Sequence, residues 1–101
     1  MTSFQSQCYE ALQKVPSGAV ISYSGLAEMM GRPKAHRAVG NAMNKNPFAP
    51  KVPCHRVVKS NGDLGGFSSG SRLKIKRLLE EGVKVVDNKI VDFESILFKG
   101  Y

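Results

Sequence analysis

Between positions 47 and 53 the chain carries three prolines in seven residues, within Asn46-Pro47-Phe48-Ala49-Pro50-Lys51-Val52-Pro53, and runs straight on into Cys54-His55-Arg56-Val57-Val58. Each proline fixes φ and removes a backbone donor, so this stretch is neither an ordinary helix nor a central strand. It is a stiff, extended segment that ends in a thiol, and the elements on either side must be arranged around it. An imidazole and a guanidinium follow at once. Cationic neighbours of this kind raise the thiolate fraction of a cysteine, and the thiolate is the nucleophile. Cys54 is therefore the first candidate for chemistry.

The rest of the composition narrows the setting. A chain of 101 residues, 42% of them hydrophobic, is expected to form one domain with a real core. Its 15 Lys and Arg against 8 Asp and Glu give a net charge of +7. Such an excess suits a polyanionic partner, nucleic acid first, and equally a plain basic surface. Cys8 and Cys54 stand far apart and make no disulfide framework, which fits a reducing interior. No CxxC pair accompanies the two histidines, so no metal site is expected. No apolar run is long enough for a bilayer, and the first residues lack a signal-peptide pattern. The expected location is intracellular: cytoplasmic, or nuclear in a eukaryote.

Hydrophobic spacing sets the elements. Phe4, Cys8, Ala11, Leu12 and Val15 recur at helical period, with Cys8 on the apolar stripe as a buried, inert thiol. Pro16-Ser17-Gly18 stops that helix. Ser22 is placed to cap a short second helix, with Ile21 and Leu26 as a hydrophobic staple. A third helix runs from about Lys34 to Met43 or Asn44, after Gly31-Arg32-Pro33. The pair is a helix-turn-helix candidate. The third helix mixes small residues (Ala35, Ala38, Gly40, Ala42) with His36, Arg37 and Asn41. Small residues serve tight helix packing or close approach to nucleic acid, with Arg37 as the longest probe. Val57-Val58-Lys59 reads as a strand, and Asn61-Gly62 as a hairpin turn. Gly65-Gly66-Phe67-Ser68-Ser69-Gly70 is a loop, either a connector or a lid. A last long helix, Ser71 to Glu81, turns Ile75, Leu78 and Leu79 inward, and Lys74, Lys76 and Arg77 read as its solvated face. Gly82 ends it. Val83 to Val86 and Lys89 to Val91 suggest a terminal hairpin around Asp87-Asn88, and the tail from Phe93 is uninformative.

Taken in order, several blocks resemble the O6-alkylguanine-DNA alkyltransferases. They are Ser22-Tyr23-x-x-Leu26-Ala27, Arg37-Ala38-Val39-Gly40-x-Ala42-Met43-x-x-Asn46-Pro47, Pro53-Cys54-His55-Arg56-Val57-Val58, Gly62-x-x-Gly65-Gly66-Phe67 and Lys74-x-x-x-Leu78-x-x-Glu81-Gly82. The resemblance implies a mainly α domain with short β-hairpins, a winged helix-turn-helix whose wing is the Asn61-Gly62 hairpin. It implies single-turnover repair of duplex DNA containing O6-alkylguanine. The damaged base would be flipped into a pocket, and Cys54 would keep its alkyl group as a thioether, with no cofactor.

Roles follow by position. His55, oriented by Glu81 with Glu80 as the neighbouring alternative, would prepare the thiolate through water, and Tyr23 would donate a proton to the guanine ring. Arg37 would fill the space left by the base, with Ser22, Ala38, Gly40, Asn41 and Ala42 on the DNA side against the minor groove. Met43, Asn46, Phe67, Ser68, Lys74 and the Val57 carbonyl would complete the pocket. The N-terminal domain of larger members is not expected here, and the family suggests a monomer. Many members have Tyr where this chain has Phe67, which costs a hydroxyl contact. Three other readings compete: a lesion-binding alkyltransferase-like protein, which typically has Trp in place of the reactive Cys; a winged-helix regulator, which leaves Pro53-Cys54-His55-Arg56 unexplained; and a thiol redox protein, which lacks a second cysteine near Cys54.

Overall fold

The computed structural model describes residues 3–45, 48, 51–64 and 71–99. The chain forms α1 (Ser3–Leu12), β1 (Ile21–Ser22), α2 (Tyr23–Met29), α3 (His36–Asn44), a 3-10 turn (Cys54–Arg56), β2 (Val57–Val58), α4 (Ser71–Glu80), β3 (Val85–Val86), β4 (Lys89–Ile90) and α5 (Phe93–Ile96). It is a mainly helical domain with short hairpins, as the sequence suggests. No helix among the described residues is long and apolar enough to cross a membrane.

Strands β1 and β2 pair in parallel, Ile21 against Val57 and Ser22 against Val58. Successive strand residues point to opposite faces, so this small ladder stands between two cores. Ile21 and Val57 join Cys8, Leu12, Val15, Leu26, Val39 and Met43 under α1–α3. Val20 and Val58 join Leu64, Leu78, Val83 and Ile90 under α4 and the C-terminal hairpin. Cys54 sits in the first core, immediately before β2.

The helices form for the reasons their sequences give. Cys8 and Leu12 lie on the buried stripe of α1, and burial pushes the Cys8 thiol up to about 12. That thiol is inert at neutral pH. The Ser22 hydroxyl accepts from the Gly25 amide at 2.9 Å and caps α2. Gly31, at φ +74°, supplies the left-handed turn that frees the chain to start α3. The Tyr9 hydroxyl donates to the Ala42 carbonyl at 2.9 Å and ties α1 to α3.

Two expectations need correcting, and the tail, on which the sequence says nothing, takes a definite place. Asn61-Gly62 does form a hairpin turn: Gly62 N–H donates to Lys59 O and Lys59 N–H to Asp63 O. Its returning limb does not ladder back along β2, however. Leu64 is drawn into the second core, and the limb binds the C-terminal hairpin instead through Leu64 N–H to Asn88 O and Ile90 N–H to Gly62 O. The tail also carries structure, since Phe98 N–H donates to Val20 O at 2.7 Å and Val20 N–H to Ile96 O at 3.0 Å. Finally, α4 packs Ile75 and Leu78 against the second core as expected, but not Leu79. Leu79 is 53% exposed, whereas Lys74 is fully buried. Lys74, Leu78 and Glu81, at i, i+4 and i+7, share the inward side with Ile75.

Candidate active site

The site starts at Pro53. With φ −83° and ψ 67°, and with Cys54 N–H donating to Val52 O at 2.8 Å, it sits at the centre of an inverse γ-turn. The chain bends there into the 3-10 turn, so Cys54 and His55 are both carried inward at 3% and 2% exposure.

Glu81, one residue past the end of α4, meets this turn. His55 Nε2 lies 3.1 Å from Glu81 Oε1, an ion-pair distance without the alignment of a linear hydrogen bond. Burial lowers the proton affinity of His55, the carboxylate works against that, and Arg56 and Arg77 add to it. The imidazole is therefore neutral at pH 7. With Nε2 turned to a carboxylate, that nitrogen carries the proton and Nδ1 is an acceptor. Nδ1 is buried without a hydrogen-bond partner among the described residues, which suits a bridging water.

Arg56 does something that its position beside the thiol does not reveal. Its Nε donates to both Glu81 oxygens at 2.9 and 3.2 Å, Nη2 donates to Oε2, and Nη1 donates to Val15 O at 2.7 Å. The guanidinium is spent on fixing Glu81 and the end of the α1 segment, and so is not the thiol's cationic neighbour as expected. Burial alone would raise Glu81, but the hydrogen bonds from Arg56 and the close contact with His55 prevail and hold the carboxyl below its ordinary range.

A second cation, Lys74, is buried on α4. Its Nζ donates to Val57 O at 2.6 Å and lies 6.0 Å from the centre of the Tyr23 ring. Burial brings Lys74 down from 10.5 to about 8, with a charge on Cys54 acting in the opposite direction. The unfolded chain binds this proton more tightly than the fold does, which costs about 3 kcal/mol of stability at neutral pH. Tyr23, the first residue of α2, is half-buried, and its phenol is raised by burial and then by Cys54. Met43 packs in the same core as Cys54. Asn46, Phe67 and Ser68 lie outside the described residues.

The outer face of α3 presents Arg37, Ala38 and Asn41 to solvent, with Gly40 partly exposed. A Cβ built at Gly40 would meet nothing within 4 Å among the described residues, so packing against them does not demand a glycine there. Two of the expected DNA-side residues have a part in the fold itself. Ala42 is 2% exposed and serves helix packing, because it faces α1 at i+3 from Val39. The Ser22 hydroxyl accepts from the Gly25 amide as the cap of α2, with its own O–H still able to donate. A cleft of about 400 Å³ opens between α2, α3 and the turn after β2, lined by Tyr23, Ser24, His36, Gly40, Lys59 and Asn61 among others. Sequence reading assigned no site role to Ser24, His36 or Lys59; their only signal was charge or polarity near the matching blocks.

Residues 3–83 match the family described as 6-O-methylguanine DNA methyltransferase, DNA binding domain. A methylated-DNA–protein-cysteine methyltransferase of Methanosarcina acetivorans is 47% identical over 81 residues, which is 80% of this chain and 52% of that protein. The one from Salmonella typhimurium is 46% identical over 81 residues, 80% of this chain and 47% of its own. The chain thus spans about half the length of the curated relatives it matches. The crystal structure of Mycobacterium tuberculosis OGT in complex with DNA superposes with a TM-score of 0.79 at 41% identity, covering 81% of this chain and 50% of that one. The structure of S. pombe Atl1 in complex with damaged DNA containing O6-carboxymethylguanine gives 0.85 at 30% identity, covering 98% and 97%.

Two outcomes are expected of the isolated protein. Its unfolding free energy falls on acidification in two stages. Below pH 6.5 the unfolded His55 takes up a proton that the buried imidazole resists; below 4.5 the unfolded Glu81 does the same while the folded carboxylate stays ionised. Denaturant titrations across pH should show both stages, with Glu81→Gln lacking the second. Gly40→Ala should stabilise the fold by roughly 0.5–1 kcal/mol, because it replaces a helix-interior glycine facing open space. A melting temperature below the parent's would contradict that assignment.

Proposed function

The chain belongs to the 6-O-methylguanine DNA methyltransferase family, and from that membership we propose that it repairs O6-alkylguanine in duplex DNA by moving the alkyl group irreversibly to Cys54. The observation that carries the reading is the cysteine–histidine–glutamate constellation. A buried thiol shares one turn with an imidazole, and that imidazole's far nitrogen faces an ionised carboxylate. This is the logic of a nucleophile, a base and an orienting acid.

The steps follow from the groups present. The outer face of α3 lies against the minor groove, where Gly40 and Ala38 allow close approach. The damaged nucleotide leaves the stack at a cost of a few kcal/mol, less for a base whose pairing is already impaired. Arg37 fills the vacated space, where its planar guanidinium can stack and donate. The +7 charge favours the phosphate backbone without reading sequence. His55 Nδ1 takes the thiol proton through a water. The sulfur pair then forms a bond to the O6-alkyl carbon as the carbon–oxygen bond breaks, and the Tyr23 phenol protonates the departing guanine. Asn46, Met43, Phe67, Ser68 and the Val57 carbonyl shape the base pocket in this reading. The thioether is stable, so each molecule acts once, as a monomer and without a cofactor.

A second reading, lesion binding without transfer, draws support from the likeness to Atl1 over nearly the whole chain. The thiol at position 54 weighs for transfer. Incubation with a duplex carrying O6-methylguanine should raise the intact mass by one methylene and no more, and an unmodified duplex should leave it unchanged. Cys54→Ser should abolish the gain. No gain with the folded parent, alongside lesion-selective binding, would replace transfer by the second reading.

A further inference from the structure

Tyr9 is a buried residue of α1, yet both ends of its side chain are used outside that helix. Its hydroxyl donates to the Ala42 carbonyl at 2.9 Å. That carbonyl lies in the last turn of α3, where helix carbonyls run out of regular partners. The Lys45 amide reaches it at 3.2 Å, and the phenol supplies a second bond. A phenylalanine would fill the same space without a polar group to desolvate, so the hydroxyl has its use at the end of α3. The Tyr9 ring meets the Phe48 ring edge-on, with centroids 6.1 Å apart and planes at 79°. From Phe48 the backbone leads directly to the reactive turn. Val52 N–H donates to Phe48 O at 3.1 Å, and Cys54 N–H donates to Val52 O at 2.8 Å. A groove of about 310 Å³ opens between α1 and this segment, lined by Tyr9, Phe48, Lys51 and Val52 among others. The segment is therefore not packed flush on α1 there, and the aromatic pair spans the gap.

We propose that Tyr9 is a positioning residue for the transfer: its hydroxyl holds the end of α3 and its ring holds the segment leading into Cys54, so one side chain sets the spacing between the DNA-side helix and the thiol. This rests on the reading of α3 as the helix that meets DNA and of Cys54 as the alkyl acceptor. Ala42 stands between Arg37 and Met43 on one rigid helix, and Val52 stands two residues before Cys54. Both links are directional. A hydrogen bond weakens steeply when bent, and an edge-to-face ring pair favours one orientation. Bond formation needs the sulfur and the alkyl carbon about 3–3.5 Å apart, and a misplacement of about 1 Å can cost about a hundredfold in rate. Tyr9 lies behind both surfaces and acts through them. Its removal therefore slows the step after binding, while the outer face of α3 still meets the duplex and the thiol itself keeps His55 and Glu81.

The test separates binding from transfer. Single-turnover methyl transfer from a duplex carrying O6-methylguanine is followed over a range of protein concentrations, giving a duplex Kd and a limiting rate. Tyr9→Phe removes only the hydroxyl, and Phe48→Leu removes only the ring contact. Each should lower the limiting rate about tenfold and leave the duplex Kd within twofold of the parent's. Alkylation of Cys54 by iodoacetamide, which needs no DNA, should proceed at the parental rate in both, as read by peptide mapping. A merely structural role would not produce that split. Phe48 is half-exposed, so Phe48→Leu keeps the test decisive even if Tyr9→Phe fails to fold. A folded variant of either kind with the parental limiting rate would overturn the proposal. So would a loss confined to Kd, or an equal slowing of the iodoacetamide reaction. A parent that binds the duplex and transfers nothing would instead overturn the repair reading, and the proposal with it.

Discussion

A single guanidinium holds the site together. Arg56 leaves the 3-10 turn and binds both oxygens of Glu81 at the end of α4, together with the Val15 carbonyl where the α1 segment ends. Two parts of the chain, 41 and 25 residues from Arg56 in one direction and the other, are thereby fixed to the turn that carries Cys54 and His55. A planar fork with five donors can do this, whereas a lysine in the same place would offer a point charge. Glu81 in turn faces the imidazole. Without the clamp the carboxylate would lose the contacts that hold it ionised and aimed at Nε2, and His55 would lose the group that selects its tautomer.

Around that clamp the protein accepts costs that a purely structural design would avoid. The inward row of α4 carries Lys74 and Glu81 where leucines would be expected. A buried ammonium lowers stability at neutral pH, and replacing buried charges by apolar groups is often neutral or stabilising. Gly40 gives up helix propensity although a Cβ there would meet nothing within 4 Å among the described residues. These departures collect on the two faces used by the proposed reaction, the pocket behind Tyr23 and the outer side of α3. The apolar remainder of the chain is ordinary core, and the thiol placed there, Cys8, is kept unreactive by burial.

What the sequence disclosed follows the range of the forces involved. Local signals were legible: the prolines before Cys54, the cap at Ser22, the Gly62 turn and the stripe of α1. Each depends on residues within one turn of each other. The burial of Ala42 was ambiguous because a small residue serves packing and DNA approach equally well, and the choice was made by Tyr9, 33 positions away. Arg56 reads from sequence as the thiol's neighbour because adjacency is visible, whereas its partners at Val15 and Glu81 are not. Lys74 was hidden for a different reason. Inside a Lys-x-Lys-Arg run its periodicity looks like a solvated face, and only the resemblance to a family put it near the pocket. The limb after Gly62 needed the whole second core to decide its partner.

The central claim is that the fold divides two buried thiols into one that reacts and one that does not. It is tested most directly by peptide mapping with tandem mass spectrometry, after the unmodified protein has met a duplex carrying O6-methylguanine. The account predicts a methyl group on the peptide containing Cys54, and Cys8 recovered as a free thiol. Methyl on Cys8, or an even split between the two sites, would contradict it.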